Sequence, residues 1–110
     1  MTKYELNESP FPKRLKEARA SYGVSQKQLG INAGFDEFGS SSRMNQYERG
    51  KHMPDFHAAR LISKALNVPT AYLFAEEDDL AELIKKYSLL SDEDKKKVIS
   101  LLGSLENKEK

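Results

Sequence analysis

VSQKQLGINAGFDEFGSSSRMNQYERGK, residues 24–51, is the stretch whose reading decides the fold. Ser25 suits the N-cap of a helix and Gln28 stands three residues on, the capping-box spacing. Leu29 and Ala33 then share a face, and Gly34 ends the helix. A second helix follows across a glycine-containing turn. Ser40, Ser41 or Ser42 can cap it, Met44 and Tyr47 are its apolar positions, and Gly50 stops it. The remaining positions, Ser41, Ser42, Arg43, Asn45 and Gln46, are polar. Two short helices therefore meet across a turn, the second with one apolar and one polar side.

Upstream, Ser9-Pro10-Phe11-Pro12 punctuates the chain, and Pro12 suits a first helical position, where its missing N–H is not needed. Phe11, Leu15, Ala18 and Tyr22 recur at helical spacing and Gly23 is a stop, which predicts a first helix over 12–22. Residues 1–10 read as a flexible arm. Downstream, Asp55 opens a helix with Phe56, Ala59, Leu61, Ile62, Ala65 and Leu66 as its buried stripe. Asn67-Val68-Pro69 breaks it, and Pro69 starts a short fifth helix holding Tyr72, Leu73 and Phe74. No stretch shows strand alternation. The expected fold is all-α, a five-helix domain over 11–75 with a helical extension over 76–110.

That extension carries two start signals, the acidic cluster Glu76–Asp79 and Ser91-Asp92-Glu93-Asp94. Leu80, Leu83, Ile84 and Tyr87 line one helix face, and Val98, Leu101, Leu102 and Leu105 line the next. Helices of about three turns are marginal alone, so they must pack on the core or on another copy.

Charge separates the same two parts. Residues 1–75 hold eleven Lys/Arg against seven Asp/Glu, net +4, whereas 76–110 hold seven against ten, net −3. The absence of cysteine excludes a disulfide framework or a Cys-based zinc site. No apolar run reaches membrane-spanning length and the first ten residues lack a signal core, so a cytoplasmic location is expected.

The polar second helix fits a reading head. A helix-turn-helix lays its second helix in the major groove of double-stranded DNA while the first crosses the backbone. Amides such as Asn or Gln pair with adenine and Arg pairs with guanine. At these residues the chain resembles the Cro-type, XRE-like phage repressor family, whose domain is lambda-repressor-like. The resemblance covers residues 11–75. It rests on Leu15 and Arg19, on Ser25-Gln26 with Leu29, on Ala33-Gly34, and on Met44 with Tyr47-Glu48-Arg49-Gly50-Lys51. Pro54 and the pattern of Leu61, Leu66, Val68, Tyr72 and Leu73 extend it.

The resemblance implies a transcriptional regulator of repressor type. Ser41, Ser42, Arg43, Asn45 and Gln46 fall where that family reads bases. Gln26 matches its phosphate-gripping glutamine, and Lys27, Ser40, Arg49 and Lys51 are further backbone-contact candidates. Arg19 and Glu48 match a structural pair joining the first helix to the recognition helix. One departure is an insertion, Phe35-Asp36-Glu37-Phe38-Gly39, which lengthens the turn and leaves the base-reading register open by one residue either way. Phe35 and Phe38 are expected to fold inward and brace it, while Asp36 and Glu37 would repel a nearby phosphate. Gly30 replaces the family's usual alanine, loosening the helix by up to ~1 kcal/mol.

Against these stand plainer readings. Met44, Tyr47, Phe56 and Phe74 are core residues, and the serine run can be turn and cap alone. His52 and His57 have no partners at metal-ligand spacing. No catalytic motif, cofactor, metal or small-molecule ligand is expected. A single module makes few contacts, so a homodimer across half-sites about 34–36 Å apart is expected. Its surface is either the tail over Leu80–Leu105 or the fifth helix around Tyr72–Phe74, unless the tail caps its own monomer. The alternative is a non-enzymatic interaction module, antitoxin-like, whose acidic tail binds a basic protein.

Overall fold

The fold turns on a close crossing of the two helices that the opening stretch encodes. The computed structural model describes residues 8–108, and the arm expected over 1–10 lies mostly outside them. Of that arm, Ser9 and Pro10 belong to the start of the first helix. Ser9 Oγ accepts the N–H of Phe11 at 3.1 Å, and the Pro10 carbonyl accepts from Arg14 at 3.0 Å.

The elements, in order, are α1 (Phe11–Tyr22), α2 (Gln26–Asn32), α3 (Ser40–Glu48), α4 (Phe56–Leu66), a 3₁₀ turn (Thr70–Phe74), α5 (Asp78–Ser88) and α6 (Asp92–Lys108). Among the described residues there is no strand. The expected fifth helix is thus one 3₁₀ turn, tied to α4 by the Ser63–Thr70 hydroxyl pair at 2.8 Å.

Local chemistry explains the boundaries. Ser25 Oγ accepts the Gln28 N–H at 3.0 Å, and Asp55 Oδ1 accepts the Ala58 N–H at 2.8 Å, each satisfying an orphan donor of a first turn. Gln28 does not complete a capping box, because its amide donates forward to Asn32 Oδ1 at 2.8 Å. Gly23 ends α1 with φ of 82°, and its N–H reaches the Arg19 carbonyl. The cap expected of the serine run is absent: α3 begins at Ser40 behind Gly39, with no side-chain cap.

One core binds α1 to α4 and the 3₁₀ turn. Phe11, Leu15, Leu29, Met44, Ala59, Ile62 and Leu73 are all fully buried. Phe11 meets Tyr47 edge-on, with ring centroids 6.3 Å apart, and Phe74 at 5.5 Å. Tyr22 and Phe56, expected inside, are exposed at 54% and 69%. Tyr22 is the last residue of α1 and Phe56 the first of α4, so both keep the helical phase but stand past the end of the packed layer. Phe74 is also partly open, with only one side against Phe11.

The extension is divided. Helix α5 docks on the 3₁₀ turn through Ala81, which is buried, and Ile84, which packs against the core. Its N-terminus is clamped by Arg14, a charged residue that is 2% exposed. Arg14 donates to the carbonyls of Ala75 (2.8 Å) and Glu76 (3.2 Å) and to the carboxylates of Asp78 (3.0 Å) and Glu17 (3.1 Å). Residue 75 is therefore a braced junction. Beside it, burial foremost and the Glu17 charge next push the Tyr72 phenol pKa up. Helix α6, by contrast, leaves Ile99, Leu101, Leu102 and Leu105 exposed.

Candidate nucleic-acid interface

Helices α2 and α3 are held together by a charged pair, a glycine contact and a buried serine. Arg19 on α1 grips Glu48 on α3 with two parallel bonds, Nε to Oε2 and Nη2 to Oε1 at 3.1 Å, and its Nη1 donates to the Val24 carbonyl at 3.0 Å. The Glu48 side chain is 4% exposed and that of Arg19 is 23% exposed. The hydrogen bond to Glu48 raises the Arg19 pKa against an opposing desolvation effect. The expected pair is therefore in place, and it fixes the far end of α3.

At the near end, Gly30 of α2 lies directly against Ser40. A Cβ on Gly30 would come within 2.3 Å of Ser40 Cβ and 3.0 Å of its Cα. Ser40 is fully buried, and its hydroxyl donates to the carbonyls of Lys27 (3.1 Å) and Glu37 (3.3 Å). Its expected phosphate contact is corrected: the hydroxyl faces inward and serves the helix crossing. The glycine expected to weaken α2 is what lets α3 approach.

On the outer side of α3, Ser41, Ser42 and Arg43 are exposed and Asn45 and Gln46 are half-buried, with Arg49 and Lys51 exposed beyond the helix. Met44, Tyr47 and Glu48 are buried on the inner side. None of the five candidate base readers is buried, and Arg43 stands apart from Ser41 at the flank of the helix, turned toward Phe35 and Tyr47. Gln26, the first residue of α2, donates from Nε2 to Asn45 Oδ1 (3.3 Å) and Glu48 Oε1 (3.2 Å). Both its amide hydrogens are engaged, so a phosphate contact from this side chain requires exchanging one of those bonds. Lys27 is exposed beside it.

The inserted turn splits its two aromatics. Phe38 is 95% exposed and does not brace anything. Phe35 is half-buried against the core and lies beneath the Arg43 guanidinium, whose carbon is 3.9 Å from the ring centroid. Arg43 Nε also donates to Tyr47 Oη at 2.9 Å. The i, i+4 spacing of Arg43 and Tyr47 is the sequence signal for this contact; the Phe35 partner has none, since it depends on how the turn folds.

The chain is thus an all-helical domain whose α3 turns a polar side outward and is fastened from within by the Arg19–Glu48 pair. No family model matches the sequence, and no curated protein matches it. Among solved structures, that of the transcriptional regulator BswR superposes with a TM-score of 0.79 at 48% identity, covering 86% of this chain and 93% of that one. The chain belongs to the family of transcriptional regulators represented by BswR. No helix among the described residues is long and apolar enough to cross a membrane.

Proposed function

We propose that the chain is a sequence-specific, double-stranded-DNA-binding regulator of the Cro-type, lambda-repressor-like kind, acting as a repressor in the cytoplasm. The observation that carries this reading is the two-sided α3. Its inner side is fastened by Glu48 to Arg19 and by Ser40 to Lys27, and its outer side offers Ser41, Ser42, Asn45 and Gln46 with Arg43 at the flank. A helix fixed at both ends can hold side chains in register with base edges. Arg49 and Lys51, with Lys27 across the crossing, would meet phosphates.

The reading includes a homodimer through the tail. Tyr72 and Leu73 of the 3₁₀ turn are buried in their own core, leaving little there for a partner. Helix α6 instead carries Leu101, Leu102 and Leu105 in the open, beside Leu83 of α5. Selection from a random duplex library, followed across a salt series, tests the function. A palindromic consensus with half-sites about one helical turn apart is expected. Salt-sensitive binding with no consensus at any salt would overturn it.

A further inference from the structure

The insertion between α2 and α3 has a consequence for which base is read. We propose that Phe35 and Tyr47 are positioning residues that hold Arg43 with its terminal nitrogens presented to a guanine in the major groove. The inference rests on the DNA-binding reading above and adds to it the base and the device that selects it.

Three observations converge on Arg43. Its guanidinium carbon stands 3.9 Å from the Phe35 ring centroid, a face-on cation–π distance, with the Tyr47 ring centroid at 5.8 Å. Its Nε is committed to Tyr47 Oη. Nη1 and Nη2 have no hydrogen-bond partner among the described residues. The ring fixes the plane of the guanidinium and the phenol fixes its rotation about that plane. What remains open is the two-pronged edge that matches O6 and N7 of guanine. A free arginine on a helix surface loses its rotamer freedom on binding, whereas a stacked one has already lost it in the folded protein.

The surroundings favour a base edge over a phosphate. Asp36 and Glu37 are exposed in the same turn as Phe35 and would repel a phosphate brought to this flank. Guanine O6 and N7 are neutral acceptors and escape most of that penalty. The insertion thereby combines a stacking ring with an acidic screen on one side of the N-terminal half of α3.

The test uses the full chain and the selected consensus duplex, made with guanine or with 7-deazaguanine, which lacks the N7 acceptor, at each consensus guanine in turn. The protein is expected to lose roughly two- to tenfold in affinity at one guanine position, since one of the two acceptors of a bidentate pair is removed. Phe35→Leu keeps apolar bulk but removes the ring, and Tyr47→Phe removes only the hydroxyl. Both are expected to lose affinity for the natural duplex and to become less sensitive to 7-deazaguanine there. Phe35→Trp is expected to restore the sensitivity. Circular dichroism confirms that each variant is folded. If Phe35→Leu and Tyr47→Phe both keep the full 7-deazaguanine effect, the positioning role is overturned while DNA reading stands. If Arg43→Ala weakens all sequences equally and lowers the salt slope by about one, Arg43 meets a phosphate and the proposal fails. Absence of any consensus overturns the DNA reading and this inference with it.

Discussion

Gly30 and Ser40 meet with no room between them: a methyl group on Gly30 would lie 2.3 Å from Ser40 Cβ. The contact sets how closely α2 and α3 cross, and the Ser40 hydroxyl bonded to the Lys27 carbonyl locks it. Gly30→Ala is therefore expected to destabilise the protein, although alanine favours an isolated helix by up to about 1 kcal/mol. The nearest atoms include the Ser40 backbone, which cannot swing aside as a flexible side-chain end could. Overpacking of this kind costs about 1–3 kcal/mol. Urea unfolding of the two proteins measures it, and a variant as stable as the parent would mean that the helices have slack.

Gly30 also shows where sequence reading stops. Helix caps at Ser25 and Asp55, the left-handed stop at Gly23 and the Arg19–Glu48 pair were legible, because each is written in local spacing or in a family pattern. A glycine within a helix reads as a weakness when only propensity is considered. Its role appears once the helix it faces is known. Ser40 is the mirror case: in a run of three serines nothing local distinguishes the one turned inward. Phe56 keeps the correct helical phase and is still exposed, since periodicity gives the face of a helix but not where the packed layer ends. Glu17 stands at helical spacing from Arg14, but the clamp on α5 was missed because Ala75, Glu76 and Asp78 lie more than 60 residues away and the first two are bonded through backbone carbonyls.

The Arg14 clamp yields the next expectation. Arg14→Met keeps most of the buried stem but leaves the Ala75 and Glu76 carbonyls without their charged donor. Hydrogen bonds from charged groups contribute about 1.5–3 kcal/mol each, and a bonded network is not additive, so a loss of about 2–4 kcal/mol is expected. Arg14→Lys should recover only a fraction, because a single ammonium cannot reproduce the fork. Hydrogen exchange localises the effect: amides of α5 should lose protection first. Uniform loss across all helices would show that Arg14 supports the core and does not specifically anchor α5.

Tyr72 links stability to alkaline pH. Burial raises its pKa above the ordinary tyrosine value of about 10, with the Glu17 charge adding to the effect. The folded state therefore holds the phenolic proton more tightly than the unfolded state. Stability from this group is fully present below the unfolded pKa and is lost as pH rises toward and through the folded one. Unfolding free energy is expected to fall above about pH 10 more steeply in the parent than in Tyr72→Phe. Parallel curves for the two proteins would place the alkaline loss elsewhere.

The tail gives the prediction on assembly. Ile99, Leu101, Leu102 and Leu105 are each about half exposed along α6, and Leu83 of α5 is 47% exposed. Several neighbouring apolar side chains within two turns of one helix make a patch rather than scattered exposures, and such patches mark contact surfaces. Replacing Leu102 and Leu105 together by Glu removes apolar area from that patch while touching nothing in the buried core of α1 to α4. If the tail is the dimer surface, the double variant should sediment at half the mass of the parent and keep its helicity. Its DNA affinity should fall steeply, because each half-site is then held by a single module and the second contact is no longer intramolecular. A variant that retains the parent's mass would move the interface away from α6. A variant that becomes monomeric yet binds the full palindrome as tightly would instead separate assembly through the tail from DNA recognition.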